Sequence, residues 1–215
     1  MADFSKLREA VLNGDQKTAF RVTQEALEAG ATPLELINGY MIPAMDEVGR
    51  LYEAEEYFVP ELLLSARAMK GSLELLRPLL VAQGTEPVAR GAIGTVKGDL
   101  HDIGKNLVAS MLEGGGFEVF DLGADVAPER FIEAIEQRGA TIVCLSALLT
   151  VTMPSMRKTI DVLREAGVRD RVKVFVGGAP VTRQFAEEIG ADGYGENASV
   201  AVALARQAAG VSALR

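Results

Sequence analysis

Near residue 88 the hydrophobic pattern of the chain changes period, and one layer of secondary structure cannot satisfy both halves. Residues 1 to about 82 repeat apolar side chains every three or four positions, and no segment there reads as a strand. Leu7, Val11 and Leu12 share one helical face, and Phe20, Val22, Ala26 and Leu27 continue the pattern after Gly14. Thr32-Pro33-Leu34-Glu35 has the form of a helix start, a hydroxyl followed by proline in the first turn. Leu34, Ile37, Tyr40, Met41, Met45, Val48 and Leu51 follow at helical spacing. A further helix is expected from Phe58 or Pro60 through Leu62, Leu63, Ala66 and Met69, and a last short one through Leu73, Leu76 and Leu80. Four or five short helices with short connections predict a helical bundle domain over residues 1–88.

From residue 89 to 215 strand-like and helix-like segments alternate. GAIGTV (91–96), FEVFDLG (117–123), TIVCLSALL (141–149), VKVFVGG (172–178) and ADGYG (191–195) read as strands, and helical segments lie between and after them. The strands are nearly continuous apolar runs, as strands covered on both faces must be. The alternation predicts an α/β domain with a five-stranded parallel sheet, flavodoxin-like (Rossmann-type), in the order 2-1-3-4-5. VAQGTEPVARG (81–91), with two glycines and a proline, is the expected linker and hinge.

Composition removes several classes of function. The chain has 22 basic and 30 acidic residues, a net charge of −8 and a pI near 4.9. It has no basic run, so nucleic acid is not an expected partner. One cysteine excludes a disulfide within the chain, and one histidine beside it falls short of the four ligands of a structural zinc site. Cys144, in mid-strand, reads as a buried small hydrophobe. No apolar run is long enough for a membrane helix, and the opening MADFSKLREA lacks the apolar segment of a signal peptide. A cytoplasmic protein with no membrane partner is the expectation.

In an open parallel sheet, ligands bind beyond the carboxyl ends of the strands, at the point where the strand order reverses. The single histidine falls there, in the loop Gly98-Asp99-Leu100-His101-Asp102-Ile103-Gly104 after the first strand. The third strand ends in Ser146-Ala147-Leu148-Leu149-Thr150 and the fourth in Gly177-Gly178-Ala179-Pro180. The first loop is not a P-loop: five residues separate Gly98 from Gly104 where four are needed, and Asn106 stands where a hydroxyl should hold magnesium. No G-x-G-x-x-G opens a helix in this half, and no serine lies in a G-x-S-x-G elbow.

Asp99-x-His101-x-x-Gly104, then Ser146-x-Leu148, then Gly177-Gly178 resembles the cobalamin-binding signature of methionine synthase, of base-off mutases and of the small corrinoid proteins of methyltransferase systems. GRLYEAEEYFVPELLLSARAMK (49–70) resembles the helical cap of the methyl-transferring members. The resemblance spans almost the whole chain and implies a corrinoid methyl carrier that binds cobalamin base-off and His-on. A neutral imidazole suits cobalt, so His101 is the implied metal ligand. Asp99 is placed to accept from the other ring nitrogen, and the resemblance implies that Thr152 extends that relay. Asp102, Ile103 and Gly104 are the implied loop contacts. The displaced nucleotide tail would enter beside Ser146, Leu148, Thr150, Gly177 and Gly178, with Gly193 and Gly195 on its far side. Phe58, Leu62 and Leu63 are the cap residues expected over the upper face. The implied cycle runs between cob(I)alamin and methylcobalamin. A substrate-specific methyltransferase loads the carrier, an acceptor methyltransferase serving tetrahydrofolate or a thiol unloads it, and a reductive activase rescues oxidised cobalt. On this reading the chain is a non-autonomous subunit rather than a complete enzyme. The methyl donor stays open among methanol, methylamines, methoxylated aromatics and glycine betaine.

Each piece alone has a plainer meaning. A lone histidine is usually a surface or structural residue, a glycine pair a turn, Ser146 a strand-end serine, and Phe58 with its leucines part of a bundle core. Three pieces in order at three strand ends outweigh those readings. The alternative function is a cobalamin-dependent sensor or regulatory protein, but no DNA-binding domain accompanies the two halves. A mutase small subunit would lack a helical cap of this kind.

Overall fold

The computed structural model describes residues 4–82 and 87–210. The chain divides into one unit of Met1–Pro87 with Ser110–Gly116 and another of Val88–Ala109 with Phe117–Ala213. Of the hinge expected at 81–91, residues 83–86 lie outside the described residues.

In the helical unit, two helices start at capping side chains that the sequence supplies. α1 (Ser5–Leu12) leads into α2 (Gln16–Glu28), which Asp15 caps by accepting from the Thr18 amide at 3.0 Å. Thr32 caps α3 (Pro33–Leu36) by accepting from the Glu35 amide at 3.2 Å. The helix expected to run unbroken from Leu34 to Leu51 instead passes through a π-helical turn, Ile37–Met41, before α4 (Ile42–Glu53). Pro43 explains the turn: it has no N–H and its ring crowds the carbonyl four residues back, so the ladder widens by one residue. Where two helices are expected after Phe58, one is observed, α5 (Val59–Ala82). Leu62, Ala66, Met69 and Leu76 form an unbroken buried stripe past Gly71. That packing outweighs the roughly 1 kcal/mol an interior glycine costs. Ser65 of α5 donates to the Leu12 carbonyl at 2.8 Å and so satisfies an acceptor left over at the end of α1. Among the described residues no helix is long and apolar enough to cross a membrane.

From Arg90 on, the chain runs β1 (Arg90–Thr95), α6 (Ile103–Gly114), β2 (Glu118–Asp121), α7 (Pro128–Arg138), β3 (Ile142–Ser146), α8 (Met153–Glu165), β4 (Lys173–Gly177), α9 (Arg183–Ile189), β5 (Gly193–Gly195) and α10 (Ala198–Ala208). The strands are parallel in the order β2-β1-β3-β4-β5, as expected. Ala92, Val143, Leu145, Val174 and Val176 of the sheet share one buried cluster with Phe131, Ile135, Met156 and Ile160 of α7 and α8. Each such large side chain contributes about 1.5–3 kcal/mol on burial. Cys144 is buried too, and burial pushes its thiol up to about 12, so it behaves as a hydrophobe. The register sets Thr95 beside Ser146, Ser146 beside Gly177 and Gly177 beside Gly195. The carboxyl ends of four strands therefore lie in one row, and the loops that leave this row carry the unusual residues.

Candidate functional site

The loop between β1 and α6 is organised by a single carboxylate. Asp99 has no exposed surface. Its Oδ1 accepts from the His101 amide and lies 3.0 Å from the ring nitrogen Nδ1. Its Oδ2 accepts from the Leu148 amide at 2.8 Å and the Leu149 amide at 3.4 Å. The Thr152 hydroxyl lies 2.7 Å from Oδ2 and 2.8 Å from the Leu149 carbonyl, so its one proton is shared between two acceptors. Burial pushes the Asp99 carboxyl up, but the bonds from Leu148, Thr152 and His101 outweigh it and hold the group well below the usual carboxylate range. The relay expected from His101 through Asp99 to Thr152 is present as geometry.

An ionised carboxylate can only accept, so Nδ1 of His101 carries the hydrogen of the shared contact. In the neutral ring Nε2 then keeps its lone pair, on a side chain that is 52% exposed. The backbone of the same residue is fixed as well, because the buried Thr95 hydroxyl donates to the His101 carbonyl at 2.8 Å. β3 was expected to reach Leu149 but stops at Ser146. The reason is local: the Leu148 and Leu149 amides leave the sheet ladder and turn to Asp99.

Around this imidazole the surface is apolar. Leu100, Ile103, Leu148, Leu149 and Val151 are all large hydrophobes with between 42% and 81% of their surface exposed. They lie in the histidine loop and in the turn after β3, the two segments that Asp99 joins. A cluster of exposed hydrophobes marks a binding surface rather than a core. Sequence reading selected Ile103 and Leu148 from this set and missed Leu100, Leu149 and Val151. The apolar character of two consecutive residues after a hydroxyl-ended strand was the available signal, and it was absorbed into the expected strand.

The glycines behave differently from one another. A Cβ at Gly104 would meet nothing within 4 Å. A Cβ at Gly177 would lie 2.8 Å from the Gly195 carbonyl oxygen, and one at Gly178 only 1.9 Å from that of Ala147. Gly178 also has φ +125°, which favours glycine. The room expected for a ligand at 177 and 178 is therefore occupied by the chain's own backbone, while the room at 104 is open. Gly195 ends β5 in the row of strand ends, but Gly193 begins that short strand and pairs with Phe175, away from the edge. Ser146 is half-buried at its strand end, and Thr150 is exposed in the turn that follows.

Two further clusters brace the loop. Lys105, buried in the first turn of α6, donates to both Asp121 oxygens at 2.6 and 2.5 Å and so ties α6 to the end of β2. Asp102 accepts from the Asn106 side chain at 3.1 Å. In the helical unit, Phe58 is 62% exposed, Leu63 is half-buried and Leu62 has no exposed surface. Leu62 thus has no face left to lay over a ligand.

Among the described residues no three of His, Cys, Asp and Glu come together to hold a bare metal ion. One oriented imidazole suits a metal whose other positions are already filled by an organic ring. The apolar rim and the open space at Gly104 suit the ring and its appendage. This donor set therefore fits a corrinoid.

Comparison with known proteins agrees. A family model described as "B12 binding domain" matches residues 89–203, and a second with the same description matches residues 4–77. The chain is 43% identical over 209 residues to the trimethylamine corrinoid protein of Methanosarcina barkeri, covering 96% of each. A cobalamin-binding protein from Desulfitobacterium hafniense DCB-2 superposes with a TM-score of 0.81 at 32% identity, covering 97% of this chain and 99% of that one. A chain of the methanol:cobalamin methyltransferase complex MtaBC from M. barkeri superposes with a TM-score of 0.85 at 30% identity, over 97% of this chain and 80% of that one.

Proposed function

The chain belongs to the family of B12-binding corrinoid proteins, and on that premise we propose that it carries methyl groups on a cobalamin held from below by His101, with the cofactor's own base displaced. Cobalamin, when bound, supplies the methyl-accepting and methyl-donating chemistry at its cobalt. The protein's part is to bind and orient the cofactor. The observation that carries the reading is the His101 ring, with Nδ1 engaged by a buried carboxylate and Nε2 left as a lone-pair donor. That contact fixes the tautomer and the orientation of the ring.

The rim of Leu100, Ile103, Leu148, Leu149 and Val151 receives the apolar face of the ring system. Gly104, whose Cβ side is open, and Asp102, Ser146 and Thr150 in the loops beyond the strand ends would hold the displaced tail. Of the three cap residues, Phe58 and Leu63 keep exposed surface with which to shield a bound cofactor, and Leu62 is buried within the helical unit. The relative at 43% identity is named for trimethylamine, which favours a methylamine-specific methyltransferase as the loading partner over a methanol-specific one. An acceptor methyltransferase and a reductive activase complete the cycle.

Purified protein loaded with cobalamin is expected to show the absorption of base-off, imidazole-ligated cobalt, and His101→Ala to lose it. Identical spectra for the two would remove His101 as the ligand. Loading assays with trimethylamine, dimethylamine and methanol, each with its methyltransferase, test the carrier role. Failure to acquire a methyl group from any of them would remove it.

A further inference from the structure

We propose that Asp125 is a positioning residue for His101, acting through the main chain of Gly98 and Asp99. The inference rests on the reading of His101 as the cobalt ligand. Asp125 lies in the loop after β2, remote in sequence from the histidine loop, yet it grips that loop at two points. Its Oδ1 accepts from the Gly98 amide at 2.8 Å, and its own amide donates to the Asp99 carbonyl at 2.9 Å. The two bonds bracket the peptide that joins Gly98 to Asp99. Asp99 in turn holds the His101 ring at 3.0 Å. The same loop is laced to β1 on either side, by Thr95 donating to the Gly123 carbonyl at 3.0 Å and Val126 donating to the Thr95 carbonyl at 2.9 Å.

The backbone at this position shows what the side chain adds. Asp125 has φ +54°, and among the described residues only Glu55 is another non-glycine in that region. Such a conformation is costly for a residue with a Cβ. Glycine would relieve it but would offer no acceptor to the Gly98 amide. Aspartate tolerates the left-handed region better than most side chains and supplies that acceptor. The second oxygen meets Lys97 at 2.9 Å in an exposed pair, where solvent screening leaves little net attraction. The working contact is therefore the bond to Gly98. Losing it frees the segment that carries Asp99, and the ring loses its fixed height and tautomer.

Two variants separate this from a structural role. Asp125→Gly keeps the φ without strain and removes the acceptor, and Asp125→Asn keeps an acceptor. His101 is the chain's single histidine, so its ring nitrogens can be followed by NMR without assignment ambiguity. In cofactor-free protein the Nδ1–H tautomer is expected to dominate in wild type and Asp125→Asn, and the Nε2–H form to rise in Asp125→Gly. In cobalamin-loaded protein the ratio of imidazole-ligated to unligated cobalt should fall about tenfold in Asp125→Gly and stay near wild type in Asp125→Asn, the size expected for loss of an outer contact to a ligand. Asp125→Gly matching wild type in the tautomer measurement would overturn the proposal, as would equal losses in both variants. Absence of imidazole ligation in loaded wild type would instead overturn the axial reading, and the tautomer measurement would still decide on Asp125.

Discussion

Asp99 gathers donors from two stretches of chain, the histidine loop and the turn after β3, and this makes its charge state a folding quantity. Its folded carboxyl titrates below the ordinary Asp value of 3.8. The stability it contributes is thus complete above that value and drains away as the pH falls through the lower folded value. Asp99→Asn would set an amide donor against the donors that face it. It is expected to lower the unfolding free energy at pH 7 by about 1.5–3 kcal/mol, the usual cost for bonds to a charged group. It should also flatten the loss of stability expected of wild type below pH 4, and urea titrations at pH 7 and pH 3 measure both effects. An equally steep acid loss in the variant would show that other carboxylates govern it. At this scale the sequence exposed Asp99, His101 and Thr152, because side chains that do chemistry are visible as letters. It could not expose the Leu148 and Leu149 amides, since any residue but proline supplies an amide. Asp125 and Thr95 were missed for a related reason: their partners are a main-chain amide and a main-chain carbonyl on another segment.

Elements of this chain follow local pattern until tertiary packing or a buried charge overrules it. The sheet order was legible because apolar runs alternating with amphipathic segments admit few windings. The length of β3 was not, because the apolar letters of Leu148 and Leu149 say nothing of where their amides turn. The unbroken α5 was not legible either, since Gly71 marks a break only when no stripe continues through it. The turn from β4 shows how closely elements meet at the site. Gly178 holds φ +125° with the Ala147 carbonyl where a side chain would start. Gly178→Ala must therefore push the ends of β3 and β4 apart as well as strain its own backbone. A loss of about 3 kcal/mol or more is expected, together with a weakened hold of the Leu148 and Leu149 amides on Asp99. Thermal unfolding reads the first effect, and the imidazole-ligated fraction of loaded protein reads the second. A variant that melts like wild type would mean that this turn has slack the close contact denies.

At the scale of the whole molecule, cofactor and fold are linked by mass action. Asp99, His101, the Thr152 hydroxyl and the exposed apolar side chains beside them come together only in the native α/β unit, so the unfolded chain has no comparable site. A ligand that binds only the native form raises its stability by an amount set by free ligand over Kd, about 2.7 kcal/mol at a hundredfold excess. For a chain of 215 residues each kcal/mol moves the midpoint by about 2–4 °C, so saturating cobalamin is expected to raise the melting temperature by about 5–10 °C. The rise should grow with the logarithm of cobalamin concentration. Removing the metal bond while leaving the rim and the tail contacts should shrink it, so His101→Ala is expected to show a smaller shift at every concentration rather than none. The measurement is a set of melts followed by circular dichroism across a cobalamin titration, for both proteins. A wild-type midpoint that does not move with cobalamin would mean the site is not built by folding. Equal shifts in the two would mean that the ring and tail carry the binding and that the imidazole serves only to tune the metal.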